Sequence, residues 1–295
     1  MTKTLDPKVG QLLRAGEDFE LSAVDPGATP AFSGGKAKGV KVRRARDKEF
    51  AEAQELLYAN GFADDRRRVL LVLQAMDTAG KGGILRHVVG AVDPQGVHLA
   101  SFKAPTDAEK RHDFLWRIRK QVPPPGMIGV FDRSHYEDVL IHRVRKLSPS
   151  DVIEQRYDQI VDFERELTAD GVTLVKVMLH ISYEEQGRRL EARLKSPEKY
   201  WKFHPTDVDE RELWPLYQEA YQLAIRRTST DAAPWYVIPA DHKWYARLAV
   251  QHLLLDALTA FDQHWPPADF DVEAERARLR ATAHPSAPPP TQVVE

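Results

Sequence analysis

A lysine and an aspartate stand four residues apart in a run of small residues, Ala75-Met76-Asp77-Thr78-Ala79-Gly80-Lys81-Gly82-Gly83. Such a pair could bring a cation and a metal-binding carboxylate to one phosphate. Gly80, Gly82 and Gly83 carry no side chain to block close approach. The backbone N–H groups of such a turn can converge on an anion where a helix begins and its dipole favours negative charge. The run departs from the phosphate-loop pattern G-x-x-x-x-G-K-[ST] twice: Ala75 replaces the first glycine, and Gly82 stands where a metal-holding hydroxyl is usual. Asp77 could take over that metal duty. An ordinary strand-to-helix turn with a solvated Lys81 is the plain alternative.

A second acid ends an apolar run, Met127-Ile128-Gly129-Val130-Phe131-Asp132-Arg133-Ser134. In phosphate-loop enzymes an acid at the carboxyl end of a strand beside the loop reaches the metal or its water shell. On its own, such an aspartate more often caps the next helix. Arg133 can neutralise phosphate charge, and Glu137 and Asp138 add two acids one turn further on. His135 reads as a packing or hydrogen-bonding residue. A phosphate acceptor has its second pKa near ~6 and needs no general base. A third group lies in residues 184–203, where Arg189 and Arg193 share a helix face and Lys195, Lys199 and Lys202 follow. This strip reads as a lid that brings positive charge over transferring phosphates. A solvated helix with internal ion pairs is the competing reading.

These groups need rigid elements behind them. Strand-like runs occur at 69–73, 97–102, 127–131, 172–179 and 235–238. The first and fourth are nearly all apolar, as strands buried on both faces should be, with Lys176 the exception. Helical patterns alternate with them: one from Lys48 to Asn60-Gly61, one opened by a Thr106/Glu109 capping box, and one from Ser148-Pro149-Ser150 to Asp170-Gly171. This alternation predicts an α/β fold with a parallel sheet covered on both faces. Residues 1–47 read as a surface arm without a core of its own, with the basic stretch 36–44 as a solvated face. Residues 48–265 read as the main α/β domain, and 266–295, with a proline-rich end, as a mobile tail.

Composition limits the options further. The 42 basic and 44 acidic residues balance to −2, so any polyanion site must be local. The chain has no cysteine, which excludes disulfides, thiolate catalysis and cysteine-ligated zinc. Polar first residues and the lack of any membrane-length apolar run predict a cytoplasmic protein with no membrane partner.

With loop, acid and lid in place, the chain resembles a family-2 polyphosphate kinase. The marks are Gln74 to Gly83, Phe102-Lys103-Ala104-Pro105-Thr106, and His112-Asp113-Phe114-Leu115-Trp116-Arg117. Further marks are Phe131 to Val139 with Asp132-Arg133-Ser134-His135-Tyr136, Arg193-Leu194 through Trp201-Lys202-Phe203, and Ala233-Pro234-Trp235 through Asp241. Together they span roughly residues 40–262. The resemblance implies a P-loop, thymidylate-kinase-like three-layer sandwich with a five-stranded parallel sheet and a helical lid at about 184–205. It implies direct in-line transfer of a terminal phosphoryl group between inorganic polyphosphate and nucleotides, assisted by Mg²⁺ with Mn²⁺ as an alternative. Asp77 and Asp132 would hold metal, while Ala79, Gly80, Lys81, Gly82 and Gly83 would hold polyphosphate. Lys103, Thr106, Asp113, Arg133, Glu137 and Asp138 would bind nucleotide, and Arg189 and Arg193 would join Lys81 and Arg133 in catalysis. The segment 134–139 resembles the subgroup that phosphorylates both AMP and ADP, with GDP to GTP as a wider option. It also suggests a homo-oligomer. Two other readings are an ATP-dependent nucleoside monophosphate kinase on the same scaffold, and a non-catalytic polyanion or RNA-binding module that uses the arm at 36–46 and the strip at 188–202. The paired acids and near-neutral charge argue against nucleic acid as the partner.

Overall fold

In a computed structural model, which describes residue 6 and residues 8–282, five strands form one sheet: β1 (Arg68–Ala75), β2 (Val97–Ser101), β3 (Ile128–Asp132), β4 (Val172–His180) and β5 (Trp235–Pro239). All pair in parallel in the order β2-β3-β1-β4-β5. Each strand lies within two residues of its expected run. β1 is buried along its whole length, as its unbroken apolar run requires for the centre of a sheet covered on both faces. The chain leaves β1 toward β2 on one side and later places β4 on the other. The crevice for a ligand therefore forms at the carboxyl ends of β1 and β3, where Leu73 pairs with Asp132.

The helices follow in chain order. α1 (Val9–Leu13), α2 (Lys36–Ala45) and α3 (Asp47–Gly61) precede the sheet, and α4 (Lys81–His87) follows the glycine loop. α5 (Trp116–Arg119) and α6 (Ile141–Val144) are single turns on either side of β3. α7 (Ser150–Ala169) buries Ile153, Tyr157, Ile160, Phe163 and Leu167, a stripe with helical spacing, against the sheet. α8 (Tyr183–Leu194), α9 (Thr206–Glu212) and α10 (Trp214–Thr228) lie between β4 and β5, and α11 (Lys243–Thr259) closes the main body. No helix among the described residues is long and apolar enough to cross a membrane.

Three expectations change. Thr106 and Glu109 do exchange the reciprocal capping-box bonds, at 2.7 and 3.3 Å, but only a 3-10 turn, Glu109–Arg111, follows. The segment offers almost no apolar face, and packing of such a face is what sustains most protein helices. The N-terminal segment is not only a surface arm, since Val9, Leu13, Leu21, Phe32 and Val42 are buried in the common core. It also covers the free edge of β5, where Ala15 N–H donates to Trp235 O at 2.8 Å. The basic stretch is half packed: Gly39 lies so close to Trp244 that a Cβ would come within 2.2 Å of the ring, and Arg43 is buried, donating to His87 O and Asp47. Finally, the chain divides between His264 and Trp265 into two units. The second contains α12 (Val272–Ala281), capped by Asp271 and with no buried residue, where no order was expected. The proline-rich run 285–290 lies outside the described residues.

Candidate active site

Residues 76–80 turn the chain from β1 into α4, and two of them have positive φ: Thr78 at 64° and Gly80 at 126°. Gly80 adopts this at no steric cost, but a β-branched threonine there is strained and needs support from its surroundings. Arg189 of α8 supplies it. Its Nη1 donates to Thr78 O and Ala79 O at 2.9 and 2.8 Å, and its Nη2 to Ala240 O and Asp241 O at 2.7 and 2.8 Å. Nε donates to Glu185 at 2.7 Å. The guanidinium is buried with every nitrogen engaged by protein acceptors, so the direct phosphate clamp expected of Arg189 is corrected to a brace that holds the loop. Gln186 assists it with a 3.4 Å bond to Asp77 O.

At the end of β3 the backbone is again left-handed, at Arg133 with φ 63°, and Arg133 N–H donates across to Leu73 O. This turn sets Asp132 and Arg133 beside the loop. Lys81 Nζ lies 3.8 Å from Asp132 Oδ1, and Arg133 Nη2 lies 3.5 Å from Asp77 Oδ1. Each cation therefore faces an acid at or beyond the limit of a hydrogen bond. Asp132 Oδ1 and Thr78 Oγ1 are buried without a hydrogen-bond partner among the described residues. Burial works against the Arg133 charge, but Glu137, Asp77, Tyr221 and Asp132 around it hold its pKa above the usual arginine value. Glu137 accepts from Gln74 Nε2 at 3.2 Å.

Asp77, Arg133 and Glu137 line one wall of a cavity of about 350 Å³. Asp207 and Glu210 of α9 and Tyr217 and Tyr221 of α10 form the other. Tyr217 donates to Glu210 at 2.6 Å, and burial together with that carboxylate pushes its pKa well up. Burial also raises the Asp207 pKa, and the charge of Asp77 adds to the effect. Arg193 bridges α8 to this wall through Lys202 O at 2.7 Å and Asp207 at 3.3 Å. Behind the loop, Arg247 lies over Gly83, where an added Cβ would come 3.0 Å from its Nη2. Burial, then the charges of Arg43, Arg189 and Arg86, depress the Arg247 pKa. A Cβ on Gly82 would meet nothing within 4 Å.

The structure thus brings together Asp77, Lys81, Asp132, Arg133, Glu137 and the glycine loop. It does not bring Asp138, Lys103, Thr106 or Asp113 to the cavity wall. Asp138 is a correction: it is buried within 3.5 Å of His142 and 3.7 Å of Arg156, because successive residues of the 3-10 turn His135–Asp138 point in different directions. Burial raises its pKa. Lys103, Thr106 and Asp113 stand on the exposed connection after β2, where Thr106 and Asp113 cap their own backbone. The far wall at 207–221 and Arg247 escaped the sequence reading. A faint signal for the wall was available in the acids of 207–212 just beyond the cationic strip.

The sequence model of the Polyphosphate kinase 2 family matches residues 36–266. The AMP/ADP-polyphosphate phosphotransferase of Meiothermus ruber is 48% identical over 86% of this chain and 94% of its own length. The ADP-polyphosphate phosphotransferase of Rhodopseudomonas palustris is 38% identical over 94% of this chain and 97% of its own. The crystal structure of polyphosphate kinase 2 from Arthrobacter aurescens TC1 superposes with a TM-score of 0.91 at 57% identity, covering 93% of this chain and 97% of that one.

Proposed function

The chain belongs to the polyphosphate kinase 2 family, and we propose that it transfers the terminal phosphoryl group of inorganic polyphosphate to AMP and ADP, forming ADP and ATP. One observation carries the reading: Lys81 from the loop after β1 and Asp132 from the end of β3 meet 3.8 Å apart beside a cavity that also presents Asp77 and Arg133. In this reading polyphosphate lies along the glycine loop under Lys81, with Arg247 beyond it. The nucleotide occupies the cavity between Arg133 and the α9–α10 wall. Arg133 and Lys81 neutralise charge on the approaching phosphates. At about 4 Å, two like unit charges repel by roughly 4 kcal/mol at an effective dielectric of 20, and phosphate pairs carry several such terms. The acceptor phosphate is already an anion near neutral pH, so no side chain has to remove a proton from it.

The residues fit a divalent metal. Among the described residues Asp132 Oδ1 is buried without a hydrogen-bond partner, and the Asp77 carboxylate makes a long contact to Arg133 at 3.5 Å. Among the described residues no cluster of three or more metal-ligating side chains stands ready. Two carboxylates completed by water and substrate phosphates suit Mg²⁺. Asp77 and Asp132 would hold the ion, which when bound screens phosphate charge and orients the transferring group.

The test is to incubate the purified protein with AMP or ADP, Mg²⁺ and either polyphosphate or ATP as sole donor, and to resolve the products by chromatography. ADP and ATP formed from polyphosphate support the reading, and loss of product on chelation supports the metal. Transfer to AMP from ATP alone would overturn it in favour of a nucleoside monophosphate kinase.

A further inference from the structure

The one charge inside the apolar run of β4, Lys176, is fully buried and plays no part in the cleft. Its three N–H groups donate to Glu164 Oε2 of α7 at 2.6 Å, Thr228 O of α10 at 2.7 Å and the Tyr136 hydroxyl at 3.1 Å. The Tyr136 hydroxyl also contacts Glu164 Oε1 at 2.7 Å and Thr228 Oγ1 at 3.0 Å, and His135 Nε2 lies 3.3 Å from the same Glu164 oxygen. Replacing a buried ion pair by apolar groups of similar volume is often neutral or stabilising, so global stability is a poor account of this network. Its position offers a better one. Tyr136 and His135 belong to the turn that begins at the left-handed Arg133, and the flanking residues Arg133 and Glu137 face the cavity. The turn is thus anchored through its buried side chains and presents its active ones from the opposite side.

Building on the functional reading above, we propose that Glu164 and Lys176, acting through Tyr136, are positioning residues that fix Arg133 and Glu137 on the nucleotide side of the site. The glycine loop is held separately, by Arg189 on Thr78 O and Ala79 O. The effect of disturbing the network should therefore fall on nucleotide and spare polyphosphate.

Two variants test this: Tyr136→Phe, which removes one hydroxyl, and the paired Glu164→Gln/Lys176→Met. Steady-state kinetics and peptide-level hydrogen exchange are measured on each beside the wild type. The expected result is a fall of at least about tenfold in kcat/KM for nucleotide, as small misplacements of reacting groups produce. The KM for polyphosphate stays unchanged, and exchange accelerates over 133–140 but not over 76–83. Unaltered exchange at 133–140 in folded Tyr136→Phe overturns the proposal, as does an equal loss toward both substrates. Should the paired variant not fold, Tyr136→Phe decides alone. A wild type unable to use polyphosphate would refute the functional reading, while the exchange arm would still judge this one.

Discussion

At the amino ends of β1 and β4, Arg66 and Arg68 both close on the Asp170 carboxylate, and Arg67 meets Asp65 at 2.5 Å while donating to Phe261 O. At the carboxyl ends of β1 and β3, Lys81 stops 3.8 Å from Asp132 and Arg133 3.5 Å from Asp77. β1 is shared by both edges, but charge is handled differently. Groups already engaged in short hydrogen bonds have little left to offer a ligand. Cations and carboxylates held apart, beside a buried oxygen that has no hydrogen-bond partner among the described residues and two left-handed non-glycine residues, are costly without a ligand. The amino edge is built for stability, and the carboxyl edge keeps its charges available.

The comparison can be broken most decisively at Lys81 and Asp132. Alanine at either position should lower polyphosphate-driven ATP formation by about 10²–10³-fold. The urea midpoint should hold or rise, because a 3.8 Å contact and an oxygen that accepts no hydrogen bond contribute little to folding. Near-normal turnover, or a stability loss as large as one at the amino edge, would erase the distinction. A smaller effect sharpens it within the loop. Gly80→Ala forces φ 126° on an alanine and should destabilise by about 1–3 kcal/mol, although its nearest new neighbour is a nitrogen of Arg189 at 4.0 Å. Gly82→Ala, in open space at the start of α4, should be neutral or stabilising by up to about 1 kcal/mol. Thermal unfolding of the two variants side by side measures the contrast.

The smallest expected effect lies at the amino edge. Hydrogen bonds from Arg67 hold the Asp65 carboxyl at about 2, below its ordinary 3.8. The folded state thus keeps this group ionised where the unfolded chain would protonate it. The resulting stabilisation is complete above pH 3.8 and disappears as the pH falls toward 2. Asp65→Asn should cost about 0.5–1 kcal/mol at neutral pH, allowing for solvent screening. The gap from wild type should close across that acid window, with no change in transfer rate. Urea titrations at several pH values, with activity measured alongside, check both halves.

What could be read from the chain alone were features encoded within a few residues: the lengths of five apolar runs, a turn of small residues with Lys81 and Asp77, and an acid and an arginine at the end of the third run. Their chemistry is local, because a strand buried on both faces needs an unbroken apolar run and a tight turn needs glycine. Tertiary structure decided the rest. The Arg189 guanidinium could satisfy its donors on carbonyls 111 and 52 residues away, at Thr78 and Asp241, so its neighbours on α8 gave no hint that it braces the loop. A 3-10 turn sent Glu137 into the cavity and Asp138 into the core, a choice set by what packs on each side. The far wall from α9 and α10 and the partners of Lys176 likewise come from elements distant in sequence. Burial and hydrogen bonding are satisfied by whatever the fold brings near, and that proximity is a property of the whole chain.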